Sequence, residues 1–193
     1  MLKQFLLACL VGLVGLIAVG DLGAVTVRAL LLDEVIDGAA VAFHGTCIAN
    51  RVEHDAATRF IVTYTTFEVR DAIKGLPGTT HVIKQIGGLL PDGVSGMLVQ
   101  GVPTYKVGED YVVFLAGVSS LGFSSPVGLS QGSFAVQEGK AGKTIATSRP
   151  LRELTANMPA VATSDRHEPD ETGREIGIDD FKRMARTHAK RLP

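Results

Sequence analysis

Cysteine is almost missing from this sequence: of 193 residues only Cys9 and Cys47 carry a thiol. Charge of one sign is missing as well. Lys and Arg number 19 against 20 Asp and Glu, a formal net charge of −1. A dedicated nucleic-acid binder needs a basic field, so that class is excluded. Metal-ligand spacing is absent too: His44, His54, His81, His167 and His188 stand in no H-E-x-x-H string or comparable pattern. Acidic residues are scattered through turns and form no paired-carboxylate constellation. The sequence therefore assigns no catalytic residue, no cofactor-binding residue and no metal ligand.

What is present is apolar residue and glycine. Hydrophobic residues make up 46% of the chain, enough for a core, and 22 glycines punctuate short apolar runs. That texture is expected of a turn-rich β protein. The length suits one domain with a real core and is short for two.

The first twenty residues read as a signal peptide. Lys3 precedes an uncharged run from Phe5 to Gly20, the layout of an n-region and an h-region. Ala18-Val19-Gly20 places small residues at −3 and −1, so cleavage is expected before Asp21, with cleavage after Ala24 the second choice. A spanning helix usually needs about 20 apolar residues, so a retained anchor is the lesser alternative. Leu6-Leu7-Ala8-Cys9 spells a lipoprotein-type box, but the apolar run continues beyond it, and Cys9 reads as part of the h-region. Its removal leaves Cys47 alone and no disulfide framework. In the 41–47 segment, alternation puts Val41, Phe43 and Cys47 on one apolar face, so Cys47 reads as a buried structural thiol.

A short helix is expected over 30–36, stopped by Gly38. Strands are expected over 39–52, 59–73 and 79–86. In the second, Phe60, Val62 and Tyr64 share one face and Phe67, Val69 and Ile73 the other, which predicts a bulge near Thr65-Thr66. The unbroken run Tyr111-Val-Val-Phe-Leu-Ala116 predicts a strand covered on both sides. Loops are expected at 87–93 and 117–128, a short strand at 97–100, and a hairpin from 132–137 and 143–147. Leu151, Leu154 and Met158 fit a short helix, and 159–177 reads as a polar linker. Asp179 is expected to cap a final amphipathic helix whose apolar stripe is Phe181, Met184, Ala185 and His188.

Two strings imitate catalytic motifs. Gly128-Leu129-Ser130-Gln131-Gly132 matches the G-x-S-x-G elbow, which requires a strand-to-helix turn. The following Ser133-Phe134-Ala135-Val136 reads as strand, which argues against a nucleophile at Ser130. Gly139-Lys140-Ala141-Gly142-Lys143-Thr144 resembles a phosphate loop, yet the first glycine would have to stand at Gln137. A hairpin turn accounts for it better. His44 and His54, with Glu53 and Asp55 nearby, could meet across a hairpin, although scattered surface histidines are the favoured account.

The stretch 61–75, the pair Gly87-Gly88, and 103–115 with Gly108-Glu109-Asp110 together resemble a widespread, poorly characterised group of exported bacterial β proteins. That group is similar to the netrin and tissue-inhibitor-of-metalloprotease module. The resemblance covers about residues 30–137. It implies a mainly β, OB-like barrel of five to six strands over 30–147, between the signal peptide at 1–20 and a helix, linker and C-terminal helix over 148–193. The eukaryotic inhibitors chelate their target's zinc with an N-terminal cysteine. Cys47 lies inside a strand, so that mechanism does not carry over. The expected function is an exported (periplasmic or secreted) non-catalytic module that binds another protein, an exported protease among the candidates, without cofactor or nucleic acid. Loops 89–97 and 117–128 are the candidate recognition surfaces. The rivals are an exported hydrolase using Ser130 or a histidine-bound metal, and an envelope protein held at the membrane surface by the basic last helix.

Overall fold

The segments richest in β-branched and aromatic residues become the longest strands, as their fit to a pleated surface dictates. A computed structural model describes residues 28–139, 142–158 and 173–191; the expected signal peptide and residues 159–172 lie outside them. Helix α1 (Leu32–Gly38) is followed by β1 (Val41–His54), β2 (Ile61–Lys74), β3 (Thr80–Ile86), and the two-residue strands β4 (Gly88–Leu89) and β5 (Gly96–Met97). Then come β6 (Asp110–Leu115), a 3-10 turn (Leu129–Gly132), β7 (Ser133–Gly139), β8 (Gly142–Ala146), α2 (Leu151–Leu154), β9 (Glu175–Gly177) and α3 (Ile178–Ala189).

The fold is mainly β. Seven strands form one antiparallel ladder in the order β3-β2-β1-β6-β7-β8-β9, and β4-β5 form a separate hairpin. The strand pairings trace an open ladder, not a closed barrel. A backbone link spans the gap: the Ser124 N–H donates to the carbonyl of Lys84 in β3 at 3.0 Å. The same short segment bridges to the end of β6 through Pro126 and Leu115.

Each face of the ladder carries a core. On the outer face α1 and α3 lie over Ala42, Val112, Phe114, Phe134 and Ile145. The inner core is Phe43, Cys47, Phe67, Ile83, Tyr105, Tyr111, Val113 and Leu115. Strand β6 thus feeds both cores in alternation, as its unbroken apolar run predicts. Cys47 is fully buried, and burial pushes its thiol up.

The expected bulge at Thr65-Thr66 is not found in β2. Thr63, Thr65 and Phe67 keep one face, and the β2–β3 register runs without a break from Val62↔Ile86 to Glu68↔Thr80. The apolar pattern misled because the inner face continues with threonine, which apolar periodicity cannot register. The extra residue lies across the ladder at Ile48 in β1, and others stand in β2 at Arg70 and Ile73. Ile73 accordingly belongs to the outer core, whereas Phe67 is inner.

Two of the motifs singled out in the sequence are joints. Lys74 donates from Nζ to the α1 carbonyl of Ile36 at 2.7 Å, and Gly75 has φ +68° beside the Ala40 carbonyl. In Gly108-Glu109-Asp110, the Gly108 N–H donates to Cys47 O at 2.8 Å, and Glu109 O accepts from the Cys47 N–H at 3.0 Å.

The C-terminal helix packs on the sheet. Ile178, Phe181, Met184 and Ala185 are buried, and Phe181 meets Phe134 at a ring-centroid distance of 5.0 Å. Lys182 and Arg186 engage Asp71, and His188 engages Asp37 at 2.8 Å. The helix starts at Ile178 after Gly177, so Asp179 lies in the first turn and is not the cap. Glu175–Gly177, expected within a linker, is strand β9, where the buried Ile176 pairs with Ile145. No helix among the described residues is long and apolar enough to cross a membrane.

Candidate functional site

The inner face of β1, β2 and β3 changes character along its length. Near β6 it is aromatic and closed. Toward the far end the paired residues become Asn50 and Thr65, then Thr63 and Gln85. There the chain leaves β3 through Gly87 and Gly88 and folds the β4-β5 hairpin over the sheet end. Residues 98–105 return above the same surface. Between them lies a groove of about 600 Å³, lined by Val52, Ile86, Met97, Val99, Pro103 and Tyr105, with the four polar residues as its floor.

The glycine pair is a steric requirement of this crossing. Gly87 has φ +95° and Gly88 φ +140°, and a Cβ on Gly88 would lie 2.4 Å from Thr63 Oγ1 and 2.7 Å from Val52 Cγ1. Thr63 Oγ1 donates to the Gly87 carbonyl at 2.6 Å, which ties the floor to the hairpin. At the tip, Asp92 Oδ1 accepts from the N–H groups of Val94 and Ser95 at 3.0 and 2.9 Å.

The floor is unevenly satisfied. Asn50 Oδ1 accepts from Thr65 Oγ1, and its Nδ2 donates to the Tyr105 carbonyl, both at 2.7 Å. Gln85 is 2% exposed and its Nε2 has no hydrogen-bond partner among the described residues. A buried amide left so costs about 1–3 kcal/mol. The rim is apolar and open: Leu89, Val94 and Leu98 are 60%, 87% and 98% exposed. None of the described residues lining the groove is charged. Tyr105 closes the inner end, edge-on to Phe67 and to Tyr111 at 4.9 Å each; burial pushes its phenol far above the usual range.

A second, polar cleft lies on the outer side. His44, 9% exposed, has its Nε2 3.7 Å from Asp110 Oδ2, beyond hydrogen-bond reach. Asp110 instead accepts from Thr46 Oγ1 and from Lys143 Nζ, each at 2.6 Å. The Thr46 hydroxyl is thereby committed to the carboxylate, and no nucleophile–base pair forms.

The residues singled out from sequence fall as follows. Loop 89–97 is the hairpin over the groove. Loop 117–128 is pinned through Lys84, whose Nζ donates to Asp55 Oδ1 at 2.9 Å and to the Leu121 carbonyl at 3.0 Å. Ser130 is exposed on the 3-10 turn that leads into strand β7, so the elbow geometry is not formed. Its neighbour Gln131 holds Leu30 and Arg28 by hydrogen bonds. His44 and His54 do not meet across a hairpin: both lie on β1, ten residues apart. No group of three His, Cys, Asp or Glu among the described residues could hold a metal. Asn50, Gln85 and Tyr105 were not anticipated, because only the curl of the sheet brings them beneath the hairpin.

Comparison of the chain with protein-family models, curated proteins and solved structures gives no match.

Proposed function

We propose that this is an exported, non-catalytic binding module of OB-like build that recognises another protein, an exported protease among the candidates, through the groove beneath the β4-β5 hairpin. The observation that carries the reading is the open apolar rim of Leu89, Val94 and Leu98 around a lining without charge. Exposed apolar side chains gathered at a concavity are the usual mark of a recognition surface. The OB-like build is supported by the curl of the ladder, which brings Ser124 within a hydrogen bond of the β3 edge. Export is supported by the n-region and h-region pattern over 1–20.

The reading is tested by pull-down from the native exported fraction with wild-type protein and the double variant Val94→Asp/Leu98→Asp. Both positions are solvent-exposed, so the variant keeps its fold. Specific capture by the wild type alone supports the reading, and identical capture by both overturns it. N-terminal sequencing of the exported protein should begin at Asp21, or at Val25 if the second cleavage site is used. An intact Met1 in the membrane fraction overturns cleavage.

A further inference from the structure

Beneath the rim, the groove is deep enough to do more than accept protein side chains. We propose that it is a binding site for a small, neutral, mainly apolar molecule that carries one carbonyl or amide, whose polar group pairs with the Gln85 side-chain amide. The inference goes beyond protein recognition and rests on the floor of the groove, not on its rim.

Three observations carry it. Gln85 lines the groove, is 2% exposed, and its Nε2 has no hydrogen-bond partner among the described residues. On the floor beside it, Asn50 is held by Thr65 and the Tyr105 backbone, and the Thr63 hydroxyl is spent on Gly87. A buried polar group without a partner is an exception that calls for one. The lining holds no charged side chain, so an ionised ligand would lose its hydration with no counter-charge to replace it. The volume, about 600 Å³, lies in the range of small-molecule sites. An apolar body with a single neutral hydrogen-bonding group answers all three.

The test uses one scaffold with three heads: naphthalene, 2-acetylnaphthalene and 2-naphthoate, titrated into the purified chain by fluorescence. The ketone should bind about tenfold more tightly than naphthalene, the worth of one buried hydrogen bond. Naphthoate should bind at least about tenfold more weakly than the ketone. Gln85→Leu should erase the ketone's advantage and leave naphthalene binding unchanged. Should that variant not fold, Met97→Trp at the half-buried mouth fills the groove and should remove binding of all three. A ketone advantage that persists in Gln85→Leu overturns the proposal, as does naphthoate binding equal to the ketone, or no binding by any probe. The outcome is separable from the protein-recognition reading: Gln85→Leu, beneath the rim at 2% exposure, should erase the ketone's preference over naphthalene and leave partner capture intact.

Discussion

Lys74, the last residue of β2, caps a helix that precedes it by 38 positions: its Nζ donates to the Ile36 carbonyl at 2.7 Å. The contact places a cation at the C-terminal end of α1, where the last carbonyls lack helical partners. Lys74→Met keeps the stem and removes the charge. It should lower stability by about 1–2 kcal/mol with the urea m-value unchanged. Equilibrium unfolding in urea measures it, and an unchanged midpoint would show that the cap contributes nothing.

Gly88 is the second point of sensitivity. Its φ of +140° and its contact with Thr63 and Val52 leave no room for a methyl group. Gly88→Ala should cost about 2–4 kcal/mol and lower Tm by about 5–10 °C. Adding Thr63→Ala should restore only part of that, since Val52 and the backbone strain remain. Full recovery in the double variant would locate the whole cost at the hydroxyl.

Phe181 tests whether the C-terminal helix is integral to the fold. It is fully buried between Phe114 and Phe134. Phe181→Ala should cost about 3–5 kcal/mol, read by chemical denaturation. A loss below about 1 kcal/mol would mean the helix is an appendage.

The polar cleft should make stability pH-dependent in two windows. Burial pushes His44 below its ordinary value, with Lys182 and Lys143 pulling the same way against Asp110 and Asp71. The unfolded histidine, with a pKa of about 6.5, takes up its proton first. Stability is therefore complete above that value and declines as pH falls below it. Asp110 titrates lower. Burial raises its carboxyl, but hydrogen bonds from Lys143 and Thr46 and the charge of Lys143 outweigh that and hold it down. Its contribution is present above the unfolded value of about 3.9 and is lost as pH falls through the folded one. His44→Gln should flatten the stability curve between about pH 7 and 5. Asp110→Asn should flatten the part below about pH 4 and, by removing a carboxylate that raises His44, steepen the upper window instead of flattening it. Interchanged effects would reject this assignment.

How legible these features were depends on what each residue answers to. Tyr111 to Leu115 could be read directly because both neighbours of β6 are apolar. Phe181, Met184 and Ala185 could be read because helical spacing alone defines their stripe. Ile176 could not: one apolar residue in three carries no period, and β9 exists only because β8 offers an edge. Thr65 faces inward with Asn50, so an apolar pattern reads the buried position as empty. The hairpin at 89–97 announced itself through Gly and Pro. The groove below it depends on a curl that no local signal encodes, and the satisfaction of Asn50 and not of Gln85 is decided by distances across strands.

The extra residue at Arg70 gives β2 a reading frame in space. Before it, odd-numbered side chains face the groove and inner core; after it, Asp71 and Ile73 turn to the helices. Were β2 to straighten through Arg70 in unbroken alternation, every chemical group would remain and each one beyond it would be sent to the wrong side, with Asp71 driven among aromatic rings and Lys182 and Arg186 deprived of their anchor. Removing residue 70 would join Asp71 to Val69 in regular alternation and keep both on their own faces, so its deletion should be tolerated better than an insertion beside it, which adds a second residue the partner strand cannot match.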